Sequence, residues 1–134
     1  MLKTKSLRTT RRIGLLLALT LGMLAGCGRK LSPEADATKA RDGLETALAA
    51  WKKGDKPDSL HDGSPAIYLN DPQWQKGSRL VDFKIESSSE QRVGQGLCYT
   101  VLLTLQDGKG TNRERKVVYQ VHTDKAVVIA PSDS

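Results

Sequence analysis

Residues 97–121 decide the fold, and they read LCYTVLLTLQDGKGTNRERKVVYQV. In both halves of this stretch apolar residues recur at every second position, which is the period of a strand with one buried face. Between the halves lies Asp107-Gly108-Lys109-Gly110, a run of residues typical of tight turns. The stretch therefore predicts a long β-hairpin. The positions predicted to face the core are Leu97, Tyr99, Val101, Leu103, Val117, Tyr119 and Val121.

Two further strands are predicted on either side of this hairpin. Val81, Phe83 and Ile85 alternate with polar residues and are also expected to face the core. After the hairpin, Asp124-Lys125 forms a second turn and leads into an apolar run at residues 126–130, which we expect at the sheet edge. Together these patterns predict a curved antiparallel sheet of about three to five strands.

The segment before the sheet carries the signals of one long amphipathic helix. Ser32 is a favoured capping residue, and Pro33 is favoured at the first helical position. The cations Lys52 and Lys53, followed by Gly54, are typical of a helix end, about five turns later. A helix packed on antiparallel strands is an α+β architecture. The apolar face of the helix is predicted to contain Ala37, Ala40, Leu44, Ala47, Leu48 and Trp51.

Residues 54–78 connect the helix to the sheet and are rich in proline and glycine. A structureless connection of this length is unusual in a small domain. We therefore expect a helical turn near residues 58–60 and a short strand at residues 66–69. Trp74 lies near the end of the connection and is expected to fold back on the core.

This order of elements resembles the cystatin-like/NTF2-like superfamily. The resemblance is carried by the helix end Ala50-Trp51-Lys52-Lys53-Gly54-Asp55, the short helical turn and the long antiparallel strands. The chain is too short for the family's three helices, so it resembles a reduced, lipid-anchored bacterial version. The resemblance implies a curved sheet that encloses an apolar cone. The candidate pocket-lining residues are Trp51, Phe83, Tyr99 and Tyr119.

Residues 1–26 have the pattern of an export signal. Five cations and no acid precede an apolar run at residues 13–24, and small residues follow. Twelve residues of helix cover about 18 Å, less than the roughly 30 Å of a bilayer core, which favours a signal peptide over a membrane span. The formal net charge of the chain is +6, and five of its cations lie in this leader, which has no acid. The apparent basicity of the chain therefore belongs to the leader. The remaining 16 cations and 15 acids are nearly balanced, and nucleic acid is not an expected partner.

The end of the leader, Leu24-Ala25-Gly26-Cys27, resembles the lipobox of bacterial lipoproteins. This implies cleavage between Gly26 and Cys27, diacylation of the Cys27 thiol and acylation of the new amino group. The alternative is an ordinary secreted protein that is cut after Ala25 or Gly26. The lipobox predicts a signal peptide at residues 1–26, a lipidated tether at 27–32 and one α+β domain at 33–134. Because Gly28 is not Asp, the enteric sorting rule implies the outer membrane, facing the periplasm.

The strand positions predicted to face the core include no carboxylate and no histidine. A general base has to reach a substrate inside the pocket, so this composition favours a non-catalytic module that binds an envelope protein or a small ligand. The alternative is a small NTF2-like enzyme in which Tyr99 or Tyr119 donates a hydrogen bond. We expect no metal, since His61 and its neighbouring acids lack ligand spacing, and no cofactor.

Three further features have simpler structural interpretations. The basic cluster Lys109, Arg113, Arg115 and Lys116 is interrupted by an acid and is interpreted as a solvated hairpin end. His122 alternates onto the outer face of its strand. Cys98 is expected to pack as a small side chain, without a disulfide.

Overall fold

The computed structural model describes residues 34–132, which form a helix packed against a strongly curled mixed sheet, a half-barrel. The α+β prediction is confirmed. The signal peptide, the tether and the proposed helix start at Ser32 and Pro33 lie outside the described residues. The helical elements are α1 (Ala37–Lys53), α2 (Pro72–Gln75) and a 3-10 turn (Pro57–Leu60). The strands are β1 (Ile67–Leu69), β2 (Arg79–Ile85), β3 (Gln91–Val93), β4 (Gly96–Gln106), β5 (Asn112–Thr123) and β6 (Val127–Pro131).

The hairpin of β4 and β5 is the centre of the sheet, as the alternation predicts. Its strands pair antiparallel from Leu97 opposite Val121 to Gln106 opposite Asn112. Asp107 stabilises the turn, because its Oδ1 atom accepts hydrogen bonds from the backbone N–H groups of Lys109 (2.8 Å) and Thr111 (3.0 Å). These two N–H groups hold the pKa of the Asp107 carboxyl below its usual value.

The order of strands is β1-β6-β5-β4-β2, and β3 also pairs with β4. The sheet has six strands and is mixed, because β1 runs parallel to β6. The prediction of an antiparallel sheet of three to five strands with residues 126–130 at its edge is therefore wrong in the number of strands, in the direction of β1 and in the edge strand. After α1 the chain returns to the sheet next to β6. The three residues of β1 pair with β6, so that β1 is the edge strand.

Strand β2 contains an irregularity that changes which residues face the core. The register against β4 shifts between Leu80 and Asp82, which is the sign of a β-bulge. Leu80 is fully buried, whereas Val81 is only partly buried, so the prediction for Val81 is off by one position. After the bulge, Phe83 and Ile85 pack against the core as expected.

Helix α1 begins four residues later than Ser32 and Pro33 suggest. The side chain of Asp36 caps it by accepting a hydrogen bond from the backbone N–H of Lys39 (3.0 Å). The residues before it are tied to the sheet: Ala35 N–H donates to the Gln95 carbonyl (2.9 Å), and Asp36 N–H donates to Thr123 Oγ1 (2.7 Å). The helix ends as predicted, at Gly54 in the left-handed conformation with φ 92°.

The buried face of α1 follows the predicted stripe, with three differences, one of which is that Ala50 is also buried. Ala37 is exposed, and Gly43 lies against the sheet at a point of close approach. A Cβ atom on Gly43 would lie 2.7 Å from Val127 Cγ1, so a side chain here would push the helix away from β6. Leu44, Leu48 and Trp51 fill the concave side of the sheet, and each such side chain contributes roughly 1.5–3 kcal/mol by its burial.

Gly43→Ala is expected to lower the free energy of unfolding by about 1–2 kcal/mol, because overpacking against Val127 costs more than the roughly 0.5–1 kcal/mol that alanine gains over glycine inside a helix. The matched control is Gly108→Ala, where a Cβ atom would meet nothing within 4 Å and the change should stay within about 0.5 kcal/mol. Urea denaturation measures both. Equal stability of the two variants would contradict the close approach of α1 to β6.

Candidate functional site

Four hollows surround the short helix α2, and together we call them the α2 rim. Each is lined by at least one residue of α2, and their volumes are about 130, 230, 310 and 420 Å³. The rim lies where the C-terminal end of α1, the β4–β5 hairpin and the connection before β2 meet. This end of the half-barrel is the candidate binding site.

Two stacked tryptophans hold α2 in place. The rings of Trp51 and Trp74 lie 5.6 Å apart at an interplanar angle of 14°. Trp51 Nε1 donates to the Ser78 carbonyl (2.8 Å), and Trp74 Nε1 donates to the Asp55 carbonyl (3.0 Å). Both side chains are buried, which confirms that Trp74 folds back on the core. The pair ties both ends of the connection to the end of α1.

A buried carboxylate also fixes α2. Asp71 is 3 % exposed; its Oδ1 atom accepts a hydrogen bond from the backbone N–H of Gln73 (2.7 Å), which caps the helix. Its Oδ2 atom accepts a hydrogen bond from the hydroxyl of Tyr119 on β5. Burial, and then the neighbouring Asp71 charge, raises the pKa of Tyr119. Asp71 is not among the site residues predicted from the sequence, although Asp followed by Pro is a recognisable helix start.

Tyr99 lies opposite Tyr119 in the β4–β5 register, but its hydroxyl is committed elsewhere. It donates to Glu90 Oε1 (2.7 Å), just before β3. Burial raises the pKa of Tyr99, and the hydrogen bond to Glu90 raises it further. Each of the two tyrosine hydroxyls thus donates a hydrogen bond to a carboxylate of the protein.

The four candidate pocket-lining residues lie in different surroundings. Trp51 lines the hollow of about 230 Å³ together with Trp74. Phe83 is partly buried against the core, and Tyr99 and Tyr119 are fully buried within it. The structure therefore brings Trp51 together with Trp74, and it brings Tyr119 together with Asp71.

The basic cluster of the hairpin divides between two faces. Arg113 and Arg115 lie opposite Leu105 and Leu103, on the concave side, and both line hollows of the α2 rim. Lys116 points the other way and pairs with Glu86 at 3.5 Å. The cluster is therefore more than the solvated hairpin end that we expect from the sequence, because two of its members border the rim.

The remaining candidates lie outside the rim or at its border. His61 borders the hollow of about 420 Å³ and stacks on Tyr68 at 4.4 Å. His122 is exposed on the outer face. Cys98 is buried, and burial raises the pKa of its thiol, which keeps it unreactive. Within residues 34–132, no three metal-ligating side chains cluster together, and no helix is long and apolar enough to cross a membrane.

Comparisons with protein-family models, curated proteins and solved structures found no match to this chain.

The pair of Asp71 and Tyr119 is expected to act as one unit in stability. Tyr119→Phe leaves a buried carboxylate oxygen without its donor, at a cost of about 1–3 kcal/mol. Asp71→Ala removes the same bond and the cap of α2, so the double variant should lose about 0.5–3 kcal/mol less than the sum of the single losses. Urea denaturation of the four proteins measures this coupling.

The control cycle combines Tyr119→Phe with Asp107→Ala, which removes a turn-capping carboxylate at the far end of the hairpin. These two losses should add. Additive losses for Asp71 and Tyr119 as well would show that the two side chains do not depend on each other.

Proposed function

We propose that the chain is a lipid-anchored protein of the bacterial cell envelope, with a reduced cystatin-like/NTF2-like domain that binds a partner or ligand without catalysis. The anchoring is supported by the three-part leader followed in register by Leu24-Ala25-Gly26-Cys27. The family is supported by the helix cradled in a curled sheet and by the helix end at residues 50–55. The enteric sorting rule at Gly28 favours the outer membrane, on its periplasmic side.

The observation that carries the non-catalytic proposal is the commitment of both core hydroxyls. An NTF2-like enzyme of the kind considered above would use Tyr99 or Tyr119 as a donor to its substrate. Here Tyr99 donates to Glu90 and Tyr119 donates to Asp71. Their burial further disfavours an exchange of protons with a substrate, because both pKa values are raised. The core is filled by side chains; four hollows lie at the α2 rim, and another, of about 160 Å³, lies beside Gly43 between α1 and β1.

The position of the rim supports a binding role for a tethered domain. The chain enters the domain beside the β3–β4 hairpin, where Ala35 N–H bonds the Gln95 carbonyl and Arg92 donates to the Ala35 carbonyl (3.1 Å). The rim lies at the other end of β4, which has 11 residues and is about 36 Å long. The rim is therefore open to a ligand or partner at the end of the domain away from the point where the chain enters it.

The lipid anchor predicts that cells fed labelled palmitate incorporate the label into this protein through Cys27. Cys27→Ser should abolish labelling and release the cleaved protein from the membrane fraction, because the thioether cannot form. The matched control is Cys98→Ser, which changes the only other cysteine and should remain labelled and membrane-bound. Labelling of the Cys27→Ser variant would contradict the proposal.

Because both hydroxyls are buried and donate to carboxylates of the protein, we predict that the free energy of unfolding depends on pH. Raised pKa values in the fold mean that Tyr99 and Tyr119 add stability at any pH below about 10, where an unfolded tyrosine is still protonated. That stability is lost as the pH rises above this value. In a Tyr68→Phe variant, which leaves only these two tyrosines, tyrosinate absorbance should appear together with the loss of the circular dichroism signal.

The outcome that would favour the enzyme is ionisation of Tyr99 or Tyr119 near pH 10 or below while the fold remains intact. Variants with Tyr99→Phe or Tyr119→Phe added then identify which hydroxyl has ionised.

A further inference from the structure

We propose that Arg113 and Arg115 form the binding site of the α2 rim and that its ligand is a small molecule with two carboxylates. This inference rests on the proposed binding function and names its ligand class. A guanidinium group presents planar N–H donors that match a carboxylate in a two-point contact, so two of them on one surface select a dianionic ligand.

The strand geometry sets the spacing of the two groups. Arg113 and Arg115 are separated by one residue on β5 and therefore project to the same face, with Cα atoms about 7 Å apart. They continue the inward column of Val117, Tyr119 and Val121 toward the β4–β5 turn. The core face of β5 thus changes from apolar to basic at the point where the hollows of the rim begin.

Both guanidinium groups are left without a carboxylate partner in the described part of the chain. Within residues 34–132, neither forms an ion pair within 4.0 Å, whereas Arg41, Arg92 and Lys116 each do. Glu114, which lies between them, projects to the opposite face of β5, and the two acids that line hollows together with Arg115 accept hydrogen bonds from other groups. Asp71 binds Gln73 N–H and the Tyr119 hydroxyl, and Asp107 binds two N–H groups of its own turn.

Two hollows meet at Arg115 and provide room for a ligand. One, of about 130 Å³, is lined by Arg113, Arg115, the apolar side chain of Leu105 and the turn residue Asp107. The other, of about 310 Å³, is lined by Arg115, by the apolar side chains of Val117 and Pro131, and by Asp71, both of whose oxygens accept hydrogen bonds within the protein. A chain of a few methylene groups between two carboxylates would fit apolar walls of this kind.

Gln73 stands between the same two hollows and adds a neutral donor. It lines both of them together with Arg115. Its Oε1 atom accepts a hydrogen bond from Ser78 Oγ (3.0 Å), which leaves its amide N–H₂ group to donate. The ligand therefore meets two cations and one amide donor, with Leu105 and Val117 as apolar contacts.

The test uses the lipoprotein purified in a nonionic detergent and measures the heat of binding at constant ionic strength. The probe is adipate, a six-carbon dicarboxylate, with its neutral diamide, the monocarboxylate hexanoate and inorganic phosphate as comparisons. Adipate is expected to bind, the diamide should not, and hexanoate should bind more weakly. Arg113→Gln and Arg115→Gln should each weaken adipate binding about tenfold, since each removes a charge-assisted contact.

The matched control is Lys116→Gln, which removes one positive charge from the same strand but from its opposite face. It should leave adipate binding unchanged within about twofold, because a solvated charge on the far face contributes little at constant salt. All three variants replace exposed side chains, so equal thermal unfolding of the variants and the parent verifies that the fold is retained.

Three results would overturn the inference. They are the absence of adipate binding, an equal loss in Lys116→Gln, and tighter binding of phosphate than of adipate, which would assign the site to another ligand class. None of them bears on the acylation of Cys27 or on the ionisation of Tyr99 and Tyr119, so failure of this site is distinguishable from failure of the proposed function.

Discussion

The stack of Trp74 on Trp51 ties the connection between α1 and β2 to the core. This connection is rich in proline and glycine, and most of its backbone hydrogen bonds lie within short turns, so it needs an anchor with a large buried surface. Each indole N–H also binds a backbone carbonyl on the other side of the connection, at Ser78 and Asp55. The position of α2, and with it the hollows of the rim, follows from these contacts. Asp71 adds a second attachment by joining the start of α2 to Tyr119 on β5.

Strand β4 was predictable because its alternation extends over ten residues, 97–106, and β5 because residues 117–122 continue the same period after the turn. The helix end was predictable because Gly54 occupies a conformation that glycine adopts readily. The start of the helix was not predictable, because Ser32, Pro33 and Asp36 are all residues that favour a helix start. The choice among them depends on tertiary contacts of Ala35 and Asp36 with the sheet. The parallel pairing of β1 was also hidden, because three residues are too few to show a period.

The candidate site was harder to predict from the sequence, because it too depends on contacts between distant residues. Asp71 and Tyr119 are 48 residues apart, and no local pattern indicates that they meet. The alternation of β5 did contain one usable signal: it puts Arg113 and Arg115 on the inward face and Lys116 on the outward face. The interpretation of the four cations as one basic cluster missed this division between the two faces of β5. The sequence Asp71-Pro72 could likewise have predicted a helix start. It does not indicate which residue binds the second carboxylate oxygen of Asp71.

The two edges of the sheet differ in form but share one property. The edge at β1 has three residues, and the opposite edge is divided between β3 and a bulged β2. Long, straight edges offer a row of free N–H and C=O groups on which another chain can add a strand. Neither edge strand presents such a row, but residues 112–117 of β5 extend beyond β6 and leave one side of that strand without a strand partner among residues 34–132. Copies of this protein crowded together would therefore find the longest regular stretch of unpaired backbone in β5, next to the α2 rim, and not at the outer edges of the sheet.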